Sequence, residues 1–151
     1  MPNYGEKPST EDLEEAVGCV AYVDGGCEPN PGLGIFAAVV ITPDASRDFI
    51  GGERESTNQR AEIQAAILAL EKVAWRSPAR IEIVSDSQYL VNCATGNWRR
   101  KKNQDLWQRL EKASEQHSVS YRWVRGHDGN PGNERAHDLV AAVLGSQRGV
   151  L

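Results

Sequence analysis

The chain is short of the features that mark several protein classes. No apolar run among its 151 residues approaches the ~20 needed to span a bilayer, so no helical membrane anchor is expected. The first 17 residues are acidic and polar and lack a secretory pattern. Cysteine is scarce: Cys19, Cys27 and Cys93 show neither CxxC spacing nor an even number. That argues against a disulfide framework and for a reduced compartment, read as cytoplasmic. Positive charge is not in excess, since the formal net charge is −4. The bulk signature of a nucleic-acid binder is therefore missing. No internal repeat, low-complexity tract or second domain is apparent. No large apolar stripe is left over once a core is filled, so a monomer is expected.

What is present suits one domain with a real core, at 40% apolar and 25% charged residues. Residues 1–17 read as an acidic N-terminal tail, with Glu6, Glu11, Asp12, Glu14 and Glu15, and a short helix over 10–17 that Thr10 would cap. Residues 18–146 form the domain, and 147–151 a C-terminal tail. Within the domain, strand and helix signals alternate. Strands are expected at 19–24, ended by Gly25-Gly26, then at 35–42 and 47–53. Residues 28–34 carry two Pro and two Gly and read as a loop. The short connections favour antiparallel neighbours. A helix follows through Trp75, with Ser56 and Gln59 at capping-box spacing and Ile63, Ile67, Leu70 and Ala74 at helical spacing; Pro78 stops it. A strand at 81–85, a short helix at 87–94, a helix at 103–116, a strand at 118–124 and a helix at 133–144 complete the series. This order predicts an α/β fold: a five-stranded mixed sheet, three antiparallel strands then two parallel, with helices on both faces.

Three acids stand where chemistry is expected. Asp24 and Asp86 each close an apolar strand. If those strands are parallel neighbours, the carboxylates lie side by side, ~5 Å apart, at the edge where open α/β sheets place their ligands. Two such charges repel unless a counter-charge is present. Glu62 lies in the first helix beside Ala65, Ala66 and Ala69, on a small apolar face where a carboxylate needs a partner. Three carboxylates without a Cys or His cluster suit a hard cation, Mg²⁺ or Mn²⁺, rather than zinc. Each acid also has an ordinary reading. Asp24 before two glycines is a turn residue, Asp86 before Ser87 a helix cap, and Glu62 a partner of Arg60 or Arg54. The run Arg99-Arg100-Lys101-Lys102 is likewise either a solvated loop or a phosphate-contacting patch.

The strings that surround these acids resemble a known family. Tyr22-Val23-Asp24-Gly25-Gly26 with Asn30-Pro31-Gly32, then Thr57-Asn58-Gln59-Arg60-Ala61-Glu62, then Ser85-Asp86-Ser87-Gln88-Tyr89, then Gly126-His127 with Gly129, Pro131 and Asn133-Glu134-Arg135, resemble in order and spacing the four motifs of type 1 ribonucleases H. One such string is weak; four in register over about residues 18–145 are strong. The resemblance implies a ribonuclease H-like fold and endonucleolytic cutting of the RNA strand of an RNA–DNA hybrid. It also implies two divalent cations acting together, and 5′-phosphate and 3′-hydroxyl ends. By position, Asp24, Glu62 and Asp86 would hold the metals and His127 would assist proton movement or product release. Gly25, Gly26, Asn30, Asn58, Gln59 and Glu62 would read the RNA 2′-hydroxyl. Thr57 and the amides at the helix start would hold a DNA phosphate.

Two departures from the family pattern matter. The position of the family's fourth acid holds His137, and Asp138 comes one residue later, ~100° around a helix. His137 would be either a ligand that suits Mn²⁺ better than Mg²⁺ or a plain helix-face residue. Many members also carry a long basic helix and loop that this chain lacks. Residues 96–102, with Trp98, Arg99 and Arg100, would take its place on the substrate. Without a fourth acid, a catalytically weak or silent hybrid-binding module on the same fold is the alternative, and another polynucleotidyl transferase a third reading.

Overall fold

The computed structural model describes residue 9 and residues 17–73 and 78–149. Among these are five strands and four helices. In chain order they are β1 (Val17–Cys27), β2 (Gly32–Ile41), β3 (Ser46–Ser56), α1 (Asn58–Val73), β4 (Ala79–Ser85), α2 (Gln88–Ala94), α3 (Gln104–Ser114), β5 (Ser118–Trp123) and α4 (Pro131–Gly149). The expected helix over 10–17 lies outside the described residues, except that Val17 opens β1. None of the described helices is long and apolar enough to cross a membrane.

The sheet order is β3-β2-β1-β4-β5. β1 pairs antiparallel with β2, and β2 with β3; β4 runs parallel to both β1 and β5. The mixed sheet of the sequence reading is therefore the one observed. Alternation along β2 sends side chains to two different cores. Ala38 and Val40 join the larger one with Ala21, Val23, Ile81 and Ile83, under α1 and α3. Ile35 and Ala37 face the other way, against Val140 and Leu144 of α4. Helices thus cover both faces. α1 is buried on nearly every side because it lies between the sheet and α3, where Leu106, Trp107, Leu110 and Ala113 pack on it. Its alanines at 61, 65, 66 and 69 are fully buried, and their small size lets the helix lie close to β1.

Several boundaries differ from expectation. β2 opens at Gly32, inside the expected 28–34 loop, because Gly32 and Gly34 pair with Ser56 and Glu53 of β3. α4 runs from Pro131 to Gly149, beyond the expected 133–144 and into the expected C-terminal tail. Two more concern β1 and the α1 cap. β1 does not end at Gly25-Gly26. It runs on to Cys27, because Gly25 and Gly26 pair with Phe36 and Ile35 of the hairpin partner. The cap of α1 is Thr57, not Ser56: the Thr57 hydroxyl accepts from the Arg60 N–H at 3.1 Å, while Ser56 is buried.

Candidate active site

The sheet register brings the first two acids together. Tyr22 is the last β1 residue paired with β4, opposite Val84. Asp24 and Asp86 each follow two residues later, past the point where the two strands stop pairing. Asp24 is paired with Ala37 inside β1, so it is not a turn residue. Asp86 is not a helix cap either, because that role belongs to Ser87, whose side chain accepts from the Leu90 N–H at 3.0 Å.

Glu62 reaches this edge because of Gly25. A Cβ at residue 25 would stand 2.3 Å from the Ala61 carbonyl carbon and 2.5 Å from the Glu62 nitrogen. Only glycine permits the first turn of α1 to lie directly on β1. Glu62 then takes a 2.6 Å hydrogen bond from the Ser87 hydroxyl. Ser87 therefore caps α2 and holds Glu62 at once, a role the sequence reading did not assign although Ser87 sits inside the third motif. Arg60 does not pair with Glu62. Its guanidinium is held by Glu53 of β3 and Asp105 of α3, both at 3.0 Å.

The electrostatics are those of an uncompensated acid cluster. Burial, then the charge of Asp86, push Asp24 up to about 7; a backbone hydrogen bond from Gly25 opposes this. Burial likewise pushes Glu62 up to about 7, opposed by the Ser87 hydrogen bond and reinforced by Asp24 and Asp86. Each carboxylate feels the others, so the edge calls for positive charge. Among the described residues no three His, Cys, Asp or Glu side chains are already drawn to the spacing of a metal cage. The all-oxygen donor set and its unmet charge fit a hard divalent cation.

The other expected residues divide into those the fold brings to the site and those it does not. His137 of α4 faces Asp24, with Nδ1 3.4 Å from Oδ2, an ion pair when the ring is protonated. Asp138 is exposed. His127 lies on the loop before α4 with φ 57°, and its ring meets that of His137 edge-on at 4.6 Å. Asn30 and Asn58 join the β1–β2 loop to the start of α1. The Asn58 N–H donates to Asn30 Oδ1 at 3.2 Å, and the Cys27 N–H donates to Asn58 Oδ1 at 2.8 Å. Gly26 is turned to the α4 side, near Val140 and Leu144.

A cleft of about 540 Å³ lies between the start of α1 and the segment that follows α2, lined in part by Gln59, Tyr89, Trp98, Arg99, Lys101 and Lys102. Trp98 is 47% exposed, a large apolar surface to leave in water. The structure does not bring Arg100 to this cleft. Its guanidinium donates to the Cys93 and Ala94 carbonyls and to Glu111, and lies 4.8 Å from the Trp107 ring. There it neutralises the C-terminal end of α2. Lys101 and Lys102, given only as part of a charge run by the sequence, take the place expected of it.

Known proteins resemble this chain in sequence and in fold. Residues 16–144 match the family model described as RNase H. The chain is 40% identical over 134 residues to a ribonuclease H of Alcanivorax borkumensis, covering 80% of this chain and 87% of that one. It is 43% identical over 135 residues to a ribonuclease H of Acidiphilium cryptum, covering 81% and 83%. Among solved structures it resembles LC9-RNase H1, described as a type 1 RNase H with the type 2 active-site motif. The TM-score is 0.74 and the identity 27%, over 87% of this chain and 74% of that one. The N-terminal RNase H domain of a Mycobacterium tuberculosis protein, solved as a fusion with maltose-binding protein, shares the fold with a TM-score of 0.75. There the identity is 24%, over 87% and 99% of the two chains. The chain belongs to the ribonuclease H family, type 1.

Proposed function

We propose that the chain hydrolyses the RNA strand of RNA–DNA hybrids endonucleolytically, leaving 5′-phosphate and 3′-hydroxyl ends. The observation that carries this reading is the convergence of Asp24, Glu62 and Asp86 at one sheet edge without compensating charge. These three, with His137 beside Asp24, would hold two divalent cations, Mg²⁺ or Mn²⁺. Bound there, the cations supply Lewis-acid activation of water and of the phosphate oxygens. The protein's own groups bind and orient the hybrid. The backbone of Gly25 and Gly26 and the amides of Asn30, Asn58 and Gln59 face the RNA 2′-hydroxyls in the minor groove. The Thr57 hydroxyl is spent on capping and the Asn58 N–H on Asn30, so the positive end of the α1 dipole is what is left to favour a DNA phosphate. Trp98, Arg99, Lys101 and Lys102 offer the cleft to the DNA strand. His127, on an exposed loop against His137, serves proton movement or product release.

The test is cleavage of an end-labelled hybrid with Mg²⁺, with Mn²⁺ and with EDTA, beside single-stranded RNA, RNA duplex and DNA duplex. Metal-dependent cutting of the hybrid alone is expected. Binding without cutting under either metal would instead support a catalytically silent hybrid-binding module, the reading favoured by the imidazole where the family carries an acid.

Two further results are expected. His137→Asp adds a fourth carboxylate against Asp24, so it should raise Mg²⁺ affinity and lower the Mn²⁺-to-Mg²⁺ activity ratio. An unchanged ratio would remove His137 from the metal shell. Lys101→Ala with Lys102→Ala should raise KM and flatten the dependence of log K on log salt by about two charges' worth, a slope change of ~1.8. Arg100→Ala should leave that slope alone and lower stability instead.

A further inference from the structure

Asp86 sits where the regular sheet stops, and two side chains other than the acids and histidines above contact it there. β4 and β5 pair as far as Ser85 and Trp123, and the ladder closes with the Val124 N–H donating to the Ser85 carbonyl at 2.9 Å. One residue further on, the Asp86 carbonyl has left the sheet and precedes the first hydrogen bond of α2, which runs from the Val91 N–H to the Ser87 carbonyl. The indole N–H of Trp123 donates to this Asp86 carbonyl at 3.0 Å. Trp123 is 41% exposed, so its ring is not kept in place by burial alone. On the other side, Asn133 in the first turn of α4 is almost wholly buried, and its Nδ2 points at Asp86 Oδ2 from 3.5 Å. Gly126 closes the same carboxylate in: a Cβ there would stand 3.0 Å from Oδ2. Asn133 Oδ1 is buried with no hydrogen-bond partner among the described residues. A buried amide with one end on a carboxylate and the other end empty is costly as a purely structural device.

We infer that Trp123 and Asn133 are positioning residues for Asp86, fixing its peptide and its carboxylate rotamer for cation binding. The inference rests on the proposed role of Asp86 as a metal ligand. Partners that orient a ligand act through it, and their loss typically lowers metal affinity or activity 10–100-fold.

The test uses the full chain with Trp123→Phe and Asn133→Ala, which remove the two donors. Trp123→Phe keeps an aromatic ring at an exposed position, and Asn133→Ala also removes the unpartnered acceptor, so neither should cost the fold. Four quantities are read: kcat and KM for hybrid cleavage, the Mn²⁺ affinity by calorimetry without substrate, and the Tm. Each variant is expected to lose about 10-fold in kcat with KM unchanged and to bind Mn²⁺ several-fold more weakly, with Tm little altered. Cleaving wild type with variants equal to it in kcat and Mn²⁺ affinity would overturn this inference alone. Losses that follow Tm, with Mn²⁺ affinity intact, would overturn it as well. A wild type that neither cleaves nor binds Mn²⁺ would overturn the proposed function and this inference together.

Discussion

Asp24→Asn is expected to abolish hybrid cleavage and to make the metal-free protein more stable above pH 7. The catalytic loss follows from removing the carboxylate that interacts with Glu62, Asp86 and His137 alike. Charge stabilisation by a bound cation is worth several kcal/mol, and ~4 kcal/mol corresponds to about 10³-fold in rate. The stability gain follows from the titration of the same group. Its ordinary value is 3.8, and in the folded protein it stands near 7. The folded state therefore favours the protonated form. Any stability the carboxyl contributes is intact below about pH 4, declines as pH rises, and is gone above about 7. Glu62 behaves in the same direction, from 4.5 towards 7. An asparagine does not ionise, so the variant escapes this decline. At pH 8 the relief is on the order of 4 kcal/mol, or roughly 8–16 °C in Tm for a chain of this size. Thermal melts of both proteins at pH 4 and pH 8, with EDTA and with Mg²⁺, provide the check. The gap should be absent at pH 4, full at pH 8 with EDTA, and smaller with Mg²⁺, which supplies wild type with the missing charge. A gap that does not depend on pH would mean that Asp24 carries no electrostatic strain.

Gly25→Ala should be nearly as damaging to catalysis although it adds a single methyl group. That methyl would lie 2.3 Å from a backbone carbon and 2.4 Å from a backbone oxygen of Ala61, and neither can swing aside as a side chain can. The first turn of α1 must retreat by about 1 Å, and Glu62 retreats with it. Displacements of that size cost about 10²-fold in rate, and overpacking of this kind costs about 1–3 kcal/mol in stability. Gly145→Ala serves as the control, because a Cβ there meets nothing within 4 Å and alanine suits a helix better than glycine. It should keep full activity and match or exceed wild-type stability. A Gly25→Ala enzyme with wild-type kcat would show that the close seat of α1 on β1 is not what places Glu62.

The linear order of residues was enough to determine the element series, the mixed sheet and the identity of the three acids. Apolar periodicity and Gly/Pro punctuation are local signals, and Asp24, Glu62 and Asp86 each sit at a fixed offset from such a signal. It pointed to His137 over Asp138, one residue of helix being a rotation of ~100°, and the fold then set His137 Nδ1 3.4 Å from Asp24 Oδ2. The tertiary structure decided matters that depend on residues far apart in sequence. It continued β1 through two glycines, because β2 supplies partners for them. It placed Ser87 on Glu62, and Trp123 and Asn133 on Asp86, contacts that span 25, 37 and 47 residues. It divided the basic run, turning Arg100 onto the end of α2 and leaving Arg99, Lys101 and Lys102 to the cleft. A charge run carries no periodicity that tells inward from outward. Which cation turns in is settled by the carbonyls and the carboxylate within its reach once the chain has folded.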